Sequence, residues 1–116
     1  MRRIGFQNSH GDWQVAWFVT RVELHDADYQ DYTALHAYMA SQGYTTTIRG
    51  SDGKTYQLPP AEYHLDGAYT RDQALEKAKR AAQRTRQRFA VIVNETVGSS
   101  WVGLPVVQPV WPLSRV

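Results

Sequence analysis

Carboxylate and imidazole side chains are concentrated in the segment RVELHDAD, residues 21–28. Oxygen and nitrogen donors at this spacing can bind Mg²⁺ or Mn²⁺, and a bound metal can activate water or stabilise charge on a phosphate during cleavage. His25 can instead act as a general base, because imidazole titrates near neutral pH. An ordinary strand end with Asp28 as a helix cap also explains the pattern. The candidate catalytic residues are Glu23, His25 and Asp26, and the segment leaves the use of a metal open.

A second group of candidates lies in the run KAKRAAQRTRQR, residues 77–88, in which six of the twelve residues are cationic. Lys77, Arg80 and Arg84 recur at i, i+3 and i+7, so they share one face of a helix. Such a stripe can follow a phosphate backbone with little reading of sequence. Cations near a helix C-terminus also stabilise the helix dipole, which is the structural alternative. The predicted nucleic-acid-binding residues are Arg21, Lys77, Arg80, Arg84, Arg86 and Arg88.

This run stands out because the charge of the chain is unevenly distributed. The net charge is only +2, yet residues 71–88 carry seven basic and two acidic side chains. The rest of the chain has six basic and nine acidic side chains. Such segregation produces a local positive field that the total conceals, and it favours RNA as a partner. A solvated helix face has a similar composition, so the charge alone does not decide.

The composition excludes several classes of protein. The chain contains no cysteine, so it has neither disulfides nor thiolate metal sites. Met1-Arg2-Arg3 resembles the charged start of a signal peptide, but polar residues follow instead of an apolar run. No stretch of about 18 apolar residues is present that could span a bilayer. We therefore expect a single-domain cytoplasmic protein with no membrane partner.

Capping signals and periodicity predict two helices. Asp28 can cap the first, and Gly43 suits the left-handed position just past its end. Its apolar stripe consists of Tyr32, Leu35, His36 and Met39. Thr70 and Gln73 form a capping box for the second helix. The residues of that helix expected to face a sheet are Ala74, Leu75, Ala78, Ala81 and Ala82.

Runs of β-branched and aromatic residues predict four strands. They cover residues 14–24, 44–49, 55–65 and 89–93. Asp52-Gly53 is typical of a hairpin turn between the second and third. Pro59-Pro60 falls inside the third strand, where we expect a bulge or a strand end, because proline cannot donate to a ladder.

The order strand, helix, strand, strand, helix, strand predicts an α+β fold of the ferredoxin-like βαββαβ type. In this split-βαβ arrangement both helices cover one face of an antiparallel sheet. We expect a flexible arm over residues 1–12, the domain over 13–98 and a hydrophobic extension over 99–116.

The uncovered face of this sheet is expected to meet a partner. Trp17 and Val19 would lie on it, opposite Phe18 and Val22. The apolar tail around Trp101 is a candidate cover, either folding onto its own sheet or adding a strand to a second copy, and we expect a homodimer formed in this way. Base stacking, as in RNA-recognition domains, is less favoured because the fourth strand lacks the glycines of that motif.

Several segments resemble the GhoS-type family of bacterial antitoxins. They are VTRVELHDADYQDYTALHAYMASQGYTTTI, DGKTYQLPPAEY, TRDQALEKAKRAA and FAVIVNE, followed by the late WVGL at 101–104. The resemblance covers residues 15–104 and implies a ferredoxin-like fold. It also implies a hydrolase: an endoribonuclease that cleaves the messenger of a small membrane-damaging toxin in a type V toxin–antitoxin system. In related nucleases a carboxylate at the end of the first strand, near its twin across a dimer, is the metal candidate, and the corresponding region here is 23–28.

The resemblance, together with these patterns, implies a GhoS-like antitoxin that binds RNA and cleaves a toxin messenger. The arginines and lysine of residues 77–88, with Arg21, would bind phosphate, and residues 23–26 would lie nearest the scissile bond. The alternative is a non-catalytic dimeric interaction module, in which the cationic stripe serves only solubility.

Overall fold

The computed structural model describes residues 6–7 and 13–108, with side chains from residue 15 onward. In chain order the elements are β1 (Phe6–Gln7), β2 (Trp13–Gln14), β3 (Ala16–Leu24), α1 (Tyr29–Ser41), β4 (Thr47–Arg49), β5 (Thr55–Gln57), β6 (Glu62–Gly67), α2 (Arg71–Arg84) and β7 (Phe89–Thr96). The main sheet has three antiparallel strands in the order β6-β3-β7, and β4 with β5 forms a separate two-stranded sheet. The predicted α+β class is confirmed. None of the helices in these residues is long and apolar enough to cross a membrane.

The central strand β3 separates two faces of the sheet by strict alternation. Its buried row consists of Ala16, Phe18, Thr20, Val22 and Leu24. The other row, beginning at Trp17, lies on a face that the helices do not cover, which we call the open face. Because side chains alternate along a strand, the cross-strand neighbours of Trp17, Asp66 and Thr96, lie on the open face too.

Both predicted helix starts are confirmed. Asp28 caps α1, and its carboxylate accepts a hydrogen bond from the amide of Asp31 at 2.9 Å. Thr70 and Gln73 form the expected capping box at the start of α2. The alanines of α2 face the core and are fully buried: Ala74, Ala78, Ala81 and Ala82. Leu75 differs from the prediction, because its side chain is 40% exposed.

The predicted central hairpin is divided between two sheets. Residues 44–49 pair with β6 only through a single bridge from Thr45 to His64, after which β4 turns away to pair with β5. Pro59-Pro60 breaks the returning arm as expected. The chain then turns through Ala61, whose φ is +70°, before β6 resumes pairing with β3.

The described part of the tail lies on the hairpin of its own chain. The amide of Gln57 donates to the carbonyl of Pro105 at 2.9 Å, and the amide of Val107 donates to that of Thr55 at 2.8 Å. This segment therefore extends the β4–β5 sheet of its own chain. The last residues, 109–116, lie outside the described residues. So does most of the arm predicted for 1–12, except Phe6–Gln7, which pairs with β2.

A chain of buried hydroxyl groups joins the sheet to α2. The hydroxyl of Tyr44 donates to the carbonyl of Ala74 at 2.9 Å, which uses its only proton. Thr20 Oγ1 lies 2.9 Å from the same hydroxyl, so it is the donor in that contact. Thr20 is fully buried, and Tyr44 nearly so. These two hydrogen bonds satisfy polar atoms that would otherwise be buried without partners.

Replacing Tyr44 by phenylalanine removes the middle of this chain. We expect the free energy of unfolding to fall by about 1–3 kcal/mol, because Thr20 loses its buried partner. Urea denaturation measures the change. Tyr29→Phe, which removes a hydroxyl from a residue that is 84% exposed, is the control and should leave stability unchanged. Equal stability of the two variants would contradict the role given to Tyr44.

Candidate nucleic-acid interface

The end of β3 lies directly beside the loop between α2 and β7. The register of the two strands ends at the pair Leu24 and Phe89. The amide of His25 then donates to the carbonyl of Arg88 at 2.8 Å, which extends the ladder by one step. Two segments that are far apart in sequence, one predicted to be catalytic and the other to bind phosphate, are thus held together at one end of the sheet.

Side chains reinforce this contact at the surface. Arg88 Nη2 lies 3.1 Å from Asp26 Oδ2, and the two side chains are 79% and 86% exposed. So exposed an ion pair contributes little to stability. Its guanidinium remains open to solvent, where a phosphate can compete with the carboxylate for it.

The backbone at this edge has an uncommon conformation at two positions. Asp26 has φ of +54° and Arg86 has φ of +64°. Asp tolerates the left-handed region because its short side chain can bond locally, whereas Arg gains no such benefit. A residue other than glycine held there costs on the order of 1 kcal/mol, and such positions cluster at functional sites.

Two cations of α2 are positioned by aromatic rings. The guanidinium carbon of Arg84 lies 4.2 Å from the ring centroid of Tyr38 in α1. Lys77 Nζ lies 4.9 Å from the centroid of Tyr69. Both contacts are short enough for cation–π attraction, which limits the freedom of the side chains without neutralising their charge.

The predicted nucleic-acid-binding residues lie on two faces of the molecule, with Arg21 on the open face and the others on or just after α2. Arg84, Arg86 and Arg88 are exposed and close in sequence at the end of α2, and Arg88 contacts both His25 and Asp26. We call these five residues the cationic edge. The other members of the predicted set lie outside this cluster. Lys77 and Arg80 lie farther back along the helix, Lys77 about 10 Å from Arg84 at the ordinary rise per residue.

Arg21 is separated from the cationic edge by the sheet itself. It lies on the open face, 3.8 Å from Glu62. The helices cover the opposite face, so Arg21 and the cations of α2 cannot contact one short ligand directly.

The predicted catalytic residues separate in the same way. Glu23 is an exposed residue on the open face, opposite Ala90. His25 is half-buried in the turn, next to the exposed Asp26. Within residues 6–7 and 13–108, no three His, Asp or Glu side chains lie close enough together to hold a metal ion. The general-base interpretation of His25 needs no metal.

Sequence reasoning missed a groove at the other end of the sheet. It encloses about 630 Å³ between Trp17 on the open face, the β4–β5 hairpin and residues 96–101. The rings of Tyr56 and Trp101 pack edge to face, 5.2 Å apart, and form one wall. The tryptophans were visible in the sequence, but the departure of β4 from the main sheet, which creates the groove, was not.

The groove is chemically mixed. Arg49 and His64 line it, but so do Asp52 and Asp66. The hydroxyl of Tyr56 donates to Asp52 at 2.6 Å, and this bond holds the pKa of Asp52 below its ordinary value. The resulting carboxylates disfavour a polyanion, so the groove fits phosphate less well than the cationic edge.

Comparisons with protein-family models, curated proteins and solved structures find no significant match to this chain. The resemblance to GhoS-type antitoxins therefore stays a prediction.

The contacts of His36 indicate a structural role and not a catalytic one. Its Nδ1 lies 2.7 Å from the hydroxyl of the buried Tyr63, and the two rings meet edge to face. Burial raises the pKa of Tyr63, so its hydroxyl keeps its proton and donates to the neutral imidazole. Burial also lowers the pKa of His36 from its ordinary value of 6.5.

This lowered pKa predicts a pH dependence of stability. The unfolded chain binds the proton of His36 more readily than the folded one. The contribution of neutral His36 is therefore complete above the ordinary pKa and is lost as the pH falls through it towards the folded value. We expect the stability difference between the wild type and His36→Gln to shrink between about pH 7.5 and 5, as measured by urea denaturation. A difference that stays constant over this range would contradict the assignment.

Proposed function

We propose that the protein binds single-stranded RNA at the cationic edge and cleaves it beside His25. The observation that carries this proposal is the contact between the β3–α1 turn and the α2–β7 loop. It brings His25 to Arg88, the last of three exposed arginines at the end of α2. Phosphate-binding and proton-accepting groups at one edge are the minimum that RNA cleavage requires.

Binding would begin with the arginines. Arg84 and Arg86 attract successive phosphates, while Arg88 exchanges the carboxylate of Asp26 for a phosphate oxygen. Asp26 thus competes with RNA for the guanidinium. In the free protein it also holds the arginine in place at 3.1 Å.

Cleavage would use the 2′-hydroxyl of the RNA as nucleophile. His25 accepts the proton of that hydroxyl, and the oxygen attacks the adjacent phosphorus. Arg88 stabilises the negative charge that develops on the phosphoryl oxygens. The bond from phosphorus to the 5′-oxygen breaks, and that oxygen takes a proton from water. The products are a 2′,3′-cyclic phosphate and a 5′-hydroxyl, and no metal takes part in these steps.

The assignment of the fold as ferredoxin-like is part of the same proposal. The sheet order β6-β3-β7, with Thr45 bridged to the outer side of β6, corresponds to a ferredoxin-like sheet whose fourth strand is reduced to one bridge. A GhoS-like role as an antitoxin that cleaves a toxin messenger follows from the resemblance. A messenger as substrate implies that the protein acts in the cytoplasm.

One observation favours the alternative of a non-catalytic interaction module. Trp17 is 41% exposed and Ile92 57% exposed on the open face. Apolar side chains in such positions often meet a protein partner. This alternative predicts no cleavage and no dependence of function on the cationic edge.

The binding step predicts a specific salt dependence. The double variant Arg86→Ala/Arg88→Ala should bind a single-stranded oligoribonucleotide more weakly. The slope of log affinity against log salt should decrease by about 1 for each phosphate that the variant no longer neutralises. Fluorescence anisotropy over a salt series measures both quantities. Arg49→Ala removes the same kind of charge from the groove and should change neither. If Arg49→Ala weakened RNA binding as much as the double variant, binding would depend on the net charge of the protein and not on the cationic edge.

The cleavage step predicts that His25 is required for cleavage of RNA but not for binding it. His25→Gln should abolish formation of the cyclic phosphate while the affinity for RNA is kept. Asp26→Asn should bind RNA more tightly, because the competing carboxylate is gone. Gel analysis of a labelled oligoribonucleotide, with a chelator in parallel, measures these results. Undiminished cleavage by His25→Gln, or loss of all cleavage on chelation, would overturn the mechanism.

A further inference from the structure

The side of β7 that faces away from β3 is a long, apolar and unpaired sheet edge. β7 is eight residues long, contains no proline and begins with the apolar run FAVIV. Among residues 6–7 and 13–108, no strand pairs with it on the side away from β3. Such an edge normally carries charges, a proline or a cover, because its free amides and carbonyls recruit other strands. The edge of β5, by contrast, is covered by the tail.

The backbone groups that point outward from β7 can be identified. The carbonyl of Arg88 accepts from His25, so Arg88 points its backbone towards β3. Successive residues of a strand point their backbone groups to opposite sides. The groups facing away from β3 therefore belong to Phe89, Val91, Val93 and Glu95.

Apolar side chains lie above and below this edge. Ile92 is exposed on the open face, next to the strand edge. On the helix face, Leu75 precedes Arg84 by nine residues, which is about 180° around the helix. Arg84 contacts Tyr38 of α1, so Leu75 projects on the side of α2 away from α1. The α2 helix packs on β7, which places Leu75 towards the free edge.

We propose that β7 pairs antiparallel with β7 of a second copy of this chain, about a two-fold axis at Ile92. The two copies would form one continuous six-stranded sheet with both helix layers on the same side. This inference does not depend on the proposed RNA cleavage. It differs from a dimer built through the open face and the tail.

The symmetry restricts the register. A two-fold axis perpendicular to the sheet keeps every side chain on the same side of the sheet in both copies. Each residue of β7 can therefore stand opposite only a partner residue whose side chain lies on that same side. The two registers with the greatest overlap are centred on Ile92 and on Val93. In either register the outward-facing backbone amides and carbonyls of the two β7 strands stand opposite each other, so hydrogen-bonded pairs can form.

Side-chain pairing selects the register centred on Ile92. There Ile92 faces its own copy, and Val91 faces the partner's Val93 on the helix face. No like charges stand opposite each other, since Glu95 faces the partner's Phe89. The register centred on Val93 instead places the exposed Ile92 opposite the partner's Asn94, and both registers place Glu95 opposite an apolar residue.

The arrangement has a consequence for the cationic edges. In this register Arg88 faces the partner's Thr96, at the start of the partner's loop that borders the groove. The two Arg88 residues would stand about 27 Å apart along the strands, at eight residues of separation. A dimer therefore offers two cationic edges to one RNA without either edge blocking the other.

A single cysteine tests the geometry, because the chain has none of its own. Across a non-hydrogen-bonded antiparallel pair the Cα atoms are about 4.5 Å apart, which suits a disulfide. Ile92→Cys should therefore form a disulfide-linked dimer under mild oxidation. Ala90→Cys is the matched control: it lies on the same face but faces the partner's Asn94, with its own copy about 14 Å away. Equal cross-linking at both positions, or none at Ile92→Cys, would overturn the register.

A second measurement does not depend on cross-linking. Sedimentation of the full chain should show a dimer for the wild type and for Asn94→Lys, and a monomer for Ile92→Lys. In the last variant two like charges would stand face to face. Circular dichroism checks that each variant is folded. A monomeric wild type, or an Ile92→Lys variant that still dimerises, would overturn the proposal, whatever the outcome of the RNA experiments.

Discussion

The pairing of β3 on both of its sides determines where every candidate residue lies. Alternation along β3 sends one row of side chains into the core and the other to the open face. At its end, the hydrogen bond from the amide of His25 to the carbonyl of Arg88 ties the first crossover to the second. Neither the turn nor the loop has a core of its own. The ladder between β3 and β7 is what brings the histidine and the arginines to one place.

The same arginines serve stability and the proposed function. Arg84, in the last turn of α2, complements the partial negative charge of the helix C-terminus and also stacks on Tyr38. These favourable terms allow several like charges to remain close together on a surface. Asp26 offsets part of their mutual repulsion at the cost of competing with a ligand. The cationic edge can therefore persist in the free protein without destabilising α2.

Local signals predicted most of the elements, because each depends on nearby residues. The caps at Asp28 and Thr70 and the alternation of β3 are of this kind. The departure of β4 from the main sheet was not predictable, since a bridge at Thr45 followed by pairing with β5 looks like one strand in sequence. The two segments of the candidate site are visible in the sequence, but their contact depends on the register of β3 with β7. Sequence does not show which face of a sheet a charge occupies, so it does not separate Arg21 from the arginines of α2.

Mapping of RNA contacts by NMR tests the central claim most directly. Titration of isotope-labelled protein with a short single-stranded RNA should shift the amide signals of residues 25–26 and 84–88, at the edge where β3 meets β7. The signals around the groove, at Trp17 and Trp101, should move little. Shifts confined to the groove, or no shifts at all, would contradict the assignment of RNA binding to the cationic edge.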